Sequence, residues 1–349
     1  MFAYRMTAPG SAELVEVRAP DPGPGQVRLD VLAAGVCHSD LAVLDGGAAA
    51  TWTLPFTLGH ETCGRVAELG EGVEGLAVGE QVVVHAPYGC GDCPRCATGR
   101  TNYCDRRASL PAAGLGLGLD GGMAEAMVVD ATRVVSAEGL DPVAAATLTD
   151  AGLTSFHAVQ GSREALAEPD ALAVVIGVGG LGHLAIGLLR GLGTTVVAVD
   201  TREEALVLAR ECGADVAVLP AGARGVVPAR GADVVFDFAG AQSSLDLAVA
   251  LLRTAGDLVV VGSGGGSLTV SKPGVLPSGA AVRVPFWGSR PELEAVVGVA
   301  RGGSLTPRTT TYPLADADRA FAQLRAGRLL GRAVLVPEQR QRAAQPPST

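Results

Sequence analysis

Charge and aromaticity are both scarce in this chain. Of its 349 residues only 18% are charged, against about 25% in an ordinary soluble protein, while 48% are hydrophobic. So apolar a chain is not disordered in bulk. Aromatic residues make up 4%, the net charge is −9, and no basic stripe interrupts the sequence. Nucleic-acid binding needs such a stripe or stacking aromatics, so it is excluded as the main function. The opening residues, MFAYRMTAPGSAELVEV, contain no apolar core of a secretion signal, and we expect a cytoplasmic protein. The seven cysteines, an odd number, argue against a disulfide framework. Residues 171–189 lack any Asp, Glu, Lys or Arg and are long enough to mimic a membrane span. Five glycines and His183 inside that stretch point instead to a buried strand, a glycine turn and an apolar helix. No membrane contact is expected.

Glycine is the residue in excess. There are 48, about twice the usual 7%. Without a G-X-Y repeat this is not collagen; it signals tight turns and close backbone approach. The length suggests two domains of roughly 150 residues. Residues 1–152 contain short apolar runs (26–33, 64–69, 80–86, 123–129) broken by Gly and Pro, the pattern of a mostly-β domain. Asp21-Pro22-Gly23-Pro24-Gly25 is a strong turn signal, and Gly114 to Gly122 reads as a mobile loop. Over 153–288 strands alternate with helices, which predicts a doubly wound parallel sheet; AAVRVPFWG reads as its last strand. Residues 289–338, two helical stretches and a strand, return to the first domain. Residues 339–349 read as a disordered tail. The fold class is α/β.

Gly177-Val178-Gly179-Gly180-Leu181-Gly182 fits the G-x-G-x-x-G fingerprint, and it follows a predicted strand and opens a predicted helix. Such a turn brings backbone N–H groups against a dinucleotide pyrophosphate at a helix N-terminus. Asp200 lies 18 residues beyond Gly182, where a carboxylate accepts from both ribose hydroxyls and repels a 2′-phosphate. That selects NAD(H), although Arg202, two residues on, is of a type that accommodates the phosphate. Cys90, Cys93, Cys96 and Cys104 place four thiols within fifteen residues. Four cysteines close a tetrahedral shell and leave no open position, so the site is structural, with zinc preferred to an iron–sulfur cluster. Cys37-His38-Ser39-Asp40 and Gly59-His60-Glu61 add a thiol and an imidazole 23 residues apart. Beside a dinucleotide motif they need only a third ligand to bind zinc with one position open to substrate.

Taken together, GVCHSD, the GHE motif, the four-cysteine lobe, GVGGLG and Asp200 resemble the zinc-dependent medium-chain alcohol dehydrogenases over about residues 1–337. The resemblance implies a GroES-like catalytic domain, with a structural-zinc lobe near 88–106, and a Rossmann domain. It implies two Zn²⁺ per subunit and NAD(H). Zinc acts as a Lewis acid on the alcohol or carbonyl oxygen, and hydride passes to or from C4 of the nicotinamide. The catalytic ligands become Cys37, His60 and Asp150; many members of the family carry a second cysteine at the third position, and an aspartate there resembles the bacterial secondary-alcohol subgroup. Ser39 matches the hydroxyl that bonds the substrate oxygen. Asp40 orients His60 or caps a turn, and Glu61 is either a transient ligand behind the metal or simply a paired acid. His38 and Arg332 match contacts to the pyrophosphate. Thr154, Leu181, Thr201, Ala239, Gly240, Val261 and Gly262 join the cofactor set.

Ala42 replaces the histidine through which many relatives pass the proton to solvent, and it removes bulk from the substrate pocket. Trp52, Phe286 and Trp287 match pocket-lining positions. His85, His157 and His183 carry no motif support and read as structural, and Cys63 and Cys212 as small buried hydrophobes. The expected substrate is a hydrophobic secondary alcohol or its ketone. An aldehyde or iminium reductase of the same fold, a zinc-free enoyl or quinone reductase, and a non-catalytic NAD binder stand as rivals. A homotetramer is expected over a dimer, paired through the apolar strand near 280–287.

Overall fold

The computed structural model describes residues 1–46 and 52–338, so the expected disordered tail lies outside the described residues. The first sheet is organised by one long strand, Gln26–Val36. Its first half alternates buried Val27, Leu29 and Val31 with partly exposed Arg28 and Asp30, the period of a strand with one solvated face. Its last four residues are all buried. One edge pairs antiparallel with Glu61–Leu69. The other pairs with Ala126–Asp130 along the first half and with Arg332–Val336 along the second. Gly35 thus faces Glu61, and Val36 faces Ala333. Three strands deliver Cys37, His60-Glu61 and Arg332 to one end of this sheet.

The second sheet is six-stranded and parallel throughout. Its order is Val216–Val218, Thr195–Val199, Leu172–Ile176, Ala232–Asp237, Leu252–Val260 and Ala281–Arg283. Leu172–Ile176 is buried at all five positions, as a central parallel strand must be. Strand order reverses between Leu172–Ile176 and Ala232–Asp237, and the carboxyl ends of those strands open the crevice where such sheets bind ligands. The uncharged stretch 171–189 resolves into Leu172–Ile176, the glycine turn and the helix Gly182–Gly191. Among the described residues no helix is long and apolar enough to cross a membrane. One apolar cluster runs continuously from the first sheet (Ala33, Val36) to the second (Val175, Phe236).

Residues 114–122 correct the expectation of a mobile loop. Gly114–Leu115 pairs with Gly118–Leu119, and the intervening turn is pressed onto the segment before His60. A Cβ at Gly116 or Gly121 would overlap the Gly59 backbone, and one at Gly122 would overlap Thr62. These glycines serve close backbone approach rather than motion.

His183 joins the glycine turn to the returning segment. Its Nδ1 donates to the Gly179 carbonyl at 2.7 Å, and its Nε2 accepts the Arg308 backbone N–H at 3.0 Å. Both nitrogens are committed, one as acceptor, so the ring must be neutral. Burial, then the Arg332 charge, hold it down at about 4 from an ordinary 6.5. The unfolded chain therefore binds the extra proton between those values, and stability falls as pH drops from about 6.5 to 4. A shift of that size corresponds to about 3 kcal/mol. Urea denaturation across this window should show the loss. His183→Gln, which donates and accepts without titrating, should remove about 3 kcal/mol of that acid sensitivity; His85, likewise held at about 4, and His38, also held down by burial, still contribute. An unchanged pH profile in the variant would refute the assignment.

Candidate active site

Cys37 directly follows the strand Gln26–Val36 and caps the helix His38–Leu44. Asp40, fully buried, accepts the Cys37 N–H through one carboxylate oxygen at 2.9 Å. Its other oxygen meets His60 Nδ1 at 3.1 Å. One carboxylate thus caps the helix and sets the imidazole, with Nδ1–H donating and the Nε2 lone pair turned inward. Asp150 arrives from a single π-helical turn, Leu148–Gly152, a distortion common at functional sites. Its Oδ2 lies 3.4 Å from Cys37 Sγ and 3.5 Å from His60 Nε2. Ligand atoms of Cys37, His60, Glu61 and Asp150 all fall within 4.8 Å of one another. A thiol, an imidazole and a carboxylate converging on one point fit zinc.

Glu61 sits behind this group, and only a glycine at position 35 leaves room for its carboxylate. Arg332 Nε donates to both Glu61 oxygens at 2.9 and 3.0 Å, its Nη2 also reaches Glu61, and the same Nη2 donates to Asp150 Oδ2 at 2.9 Å. Burial pushes the Glu61 carboxyl up to about 7 against the pull of Arg332. At Asp150 burial works in the same sense, but His60, Arg332 and the Thr154 hydroxyl outweigh it and hold the acid well below its usual range. The remaining nitrogen of Arg332, Nη1, lies against Gly180 of the glycine turn.

These residues floor a cavity of about 440 Å³ between the two sheets. Of the expected site residues, His38, Ser39, Thr154, Leu181, Ala239, Val261, Gly262, Phe286, Trp287 and Arg332 line it with Cys37, His60 and Asp150. Ala42 and Trp52 do not. Ala42 lies on the exposed face of its helix, and Trp52 packs edge-on to Phe56 and against Gly118. Leu117, Phe238, Ser263, Gly264 and Pro285 also line the cavity and carried no sequence signal of their own. Trp287 stands edge-on to His60 at 5.4 Å, with a backbone φ of 52° that a bulky residue rarely adopts.

The turn at the parallel sheet suits a dinucleotide. Gly177 has φ +89°, Gly182 packs on the Gly177 carbonyl, and a Cβ at Gly179 would meet only open space. Asp200 accepts from Val178 N–H at 2.8 Å and from Arg202 N–H at 2.9 Å, which braces the turn against the next strand. Thr201 follows it at the strand end. The Arg202 guanidinium donates to the carbonyls of Gly327 and Leu329, both at 2.9 Å. Opposite lies a carboxylate that the sequence reading missed. Asp237, fully buried, accepts from Ala239 N–H, Gly240 N–H and Ser244 Oγ and so shapes the far lip of the crevice.

In the four-cysteine lobe the sulfurs also lie within 4.8 Å of one another. Backbone amides of Cys90 and Arg106 point at Cys104 Sγ, and that of Cys96 at Cys93 Sγ, each at 3.4 Å. Amides at Cys96 and Asp105 draw the Cys93 thiol down to about 7. Oriented N–H donors of this kind stabilise thiolates, as a structural zinc requires.

Residues 23–139 match the model of the alcohol dehydrogenase GroES-like domain, and residues 180–301 that of the zinc-binding dehydrogenases. The NAD-dependent alcohol dehydrogenase of Sulfurisphaera tokodaii is 32% identical over 97% of this chain and 100% of its own. The alcohol dehydrogenase of the hyperthermophilic archaeon Aeropyrum pernix superposes with a TM-score of 0.88 at 33% identity, covering 97% of this chain and 100% of that one. An acetophenone reductase from Geotrichum candidum, solved with NAD, gives 0.83 at 29% identity over 96% of each chain. The chain belongs to the zinc-dependent medium-chain alcohol dehydrogenase family.

If Asp40 orients His60, Asp40→Asn should weaken zinc affinity at this site by about 10- to 100-fold, the usual effect of losing such a partner. Competition against a chromophoric chelator measures it. Unchanged affinity would leave Asp40 as a helix cap only.

Proposed function

We propose that this enzyme transfers a hydride between NAD(H) and a hydrophobic secondary alcohol or its ketone. One observation carries the reading: Cys37, His60 and Asp150 converge at the floor of a cavity whose upper wall is the carboxyl edge of the parallel sheet. Zinc held by those three residues supplies Lewis acidity at the substrate oxygen, and the nicotinamide supplies or accepts the hydride. The protein does the rest. Cys37 as thiolate and Asp150 as carboxylate balance a dication, while Asp40, against His60 Nδ1, sets the tautomer that presents Nε2. Ser39 Oγ lines the cavity 3.6 Å from Cys37 Sγ, placed to exchange the substrate hydroxyl proton. With Ala42 where relatives have histidine, His38 on the same rim is the onward acceptor. Leu117, Val261, Phe286 and Trp287 give the cavity apolar walls that exclude water and accept carbon on both sides of a carbinol.

Asp200 favours NAD(H): its charge repels a 2′-phosphate, and Arg202, whose Nε lies 3.5 Å from Asp200, is held by the carbonyls of Gly327 and Leu329. Thr154, bonded to Asp150, and Arg332, against Gly180, join the metal group to the cofactor cleft. Seven unpaired cysteines suit a reducing, cytoplasmic setting. The tetramer reading is supported by the edge strand Ala281–Arg283, beside which Val282 and Val284 are 39% and 74% exposed. Light scattering should return four chains; a monomer mass would refute the assembly.

NADH oxidation against aliphatic ketones, aryl ketones, aldehydes and a cyclic imine tests the function. Ketones should turn over with NADH, with NADPH at least tenfold poorer in kcat/KM, and Asp200→Gly should narrow that gap about tenfold. Turnover confined to aldehydes or the imine would overturn the substrate class. Silence throughout, with NADH bound, would overturn the activity.

A further inference from the structure

A second cavity, of about 590 Å³, shares no residue with the substrate cleft. It lies between the helix Gly182–Gly191, the end of the helix Glu203–Glu211 and residues 303–308. Two guanidiniums border it, Arg190 and Arg308. Most arginines of this chain are paired, as Arg106 is with Asp92 and Arg253 with Asp233. Among the described residues the side chains of Arg190 and Arg308 have no hydrogen-bonded or ion-paired partner. Cys212, expected to be a buried hydrophobe, is instead half-exposed on the cavity wall, next to Glu211. Two cations against one carboxylate give the cavity a net positive charge, and Ser304 and Thr306 add hydroxyls.

The backbone of Arg308 is a junction. Its N–H bonds His183 Nε2 at 3.0 Å, and His183 Nδ1 bonds the Gly179 carbonyl at 2.7 Å. Its carbonyl accepts the Arg332 N–H at 2.8 Å. One residue therefore touches the glycine turn through a single side chain and the active-site arginine directly.

We propose that this cavity is an effector site for a small phosphorylated polyol, and that its occupation tightens dinucleotide binding. The phosphate meets Arg190 and Arg308, whose planar forks suit oxyanions, while Glu211, Ser304 and Thr306 take the hydroxyls. A ligand held by both arginines ties the segment 303–308 to the helix that carries the glycine turn. A segment already ordered has less freedom to lose when the dinucleotide binds, which is positive coupling. The expected gain in NADH affinity is roughly fivefold, at the low end of ordinary couplings.

Calorimetry on the zinc-loaded enzyme saturated with NADH tests the site, because the bound cofactor blocks phosphate from its own pyrophosphate cleft. Glycerol 3-phosphate should bind one per chain, more tightly than inorganic phosphate. Arg190→Ala and Arg308→Ala should each weaken both ligands at least tenfold. Both side chains are solvent-exposed, so the variants should fold, and their NADH affinity without anion should match the parent. NADH titration by fluorescence, with and without glycerol 3-phosphate, reads the coupling. This rests on the dinucleotide reading for its readout, and failure to bind NADH at all would count against that reading first. Given NADH binding, no anion binding, or binding that both variants retain, overturns the site. Equal binding of the two ligands overturns the polyol half. Binding that leaves NADH affinity unmoved overturns the coupling.

Discussion

Arg332 places a guanidinium, 3% exposed, between two buried carboxylates, and the catalytic end of the molecule is arranged around that contact. A buried ion pair adds little net stability, but removing one member leaves a charge with no partner, at a cost of about 3–5 kcal/mol. The group is therefore locked as a set. Asp150 as carboxylate and Cys37 as thiolate carry two negative charges on the metal side of this contact, which is why a dication suits a site so deeply enclosed.

The lock also explains the chain path. Arg332 is 271 residues from Glu61 and 182 from Asp150, and it reaches both because its strand lies along the buried half of Gln26–Val36. The site therefore completes only when the last strand has docked. Contacts of such sequence separation cost loop-closure entropy before they are made. The glycine turn, the metal group and the returning strand then share one arginine, whose third nitrogen rests on Gly180. Cofactor cleft and metal group are thus joined through one side chain.

Local chemistry was legible in the sequence, and side-chain direction was not. The glycine fingerprint, the four cysteines and the Cys37–Asp40 run each lie within one short segment, where spacing alone implies geometry. The alternating strands and helices of the parallel sheet showed for the same reason. Residues 114–122 were misread because glycine serves mobility and close packing alike, and only the presence of Gly59 beneath them decides. Ala42 and Trp52 were misplaced because which face of a helix or loop meets a cavity depends on distant elements. Asp237 gave no signal, since an acid at a strand end is equally consistent with a solvated cap. His157 and His183 looked merely structural because their partners, Glu292 and Arg308, are more than a hundred residues away.

His157 shows what such distant pairing does. The four-cysteine lobe lies apart from the reacting groups, yet it holds the wall of the substrate cavity. Tyr103, beside Cys104, meets His157 Nε2 at 2.8 Å, and His157 Nδ1 meets Glu292 at 2.7 Å. Glu292 in turn accepts the Ser289 N–H, which follows Phe286, Trp287 and Gly288. Asn102 donates to the Phe286 carbonyl at 2.9 Å, and Arg107 lies 3.9 Å over the Phe286 ring. Trp287 sits in a left-handed backbone conformation that costs about 1–3 kcal/mol, so surrounding contacts must impose it. The lobe supplies several of them. The four-thiol lobe thus reaches the cavity wall through Asn102, Tyr103 and Arg107, which hold Phe286, and Phe286 packs edge-on against Trp287, the ring that stands against His60.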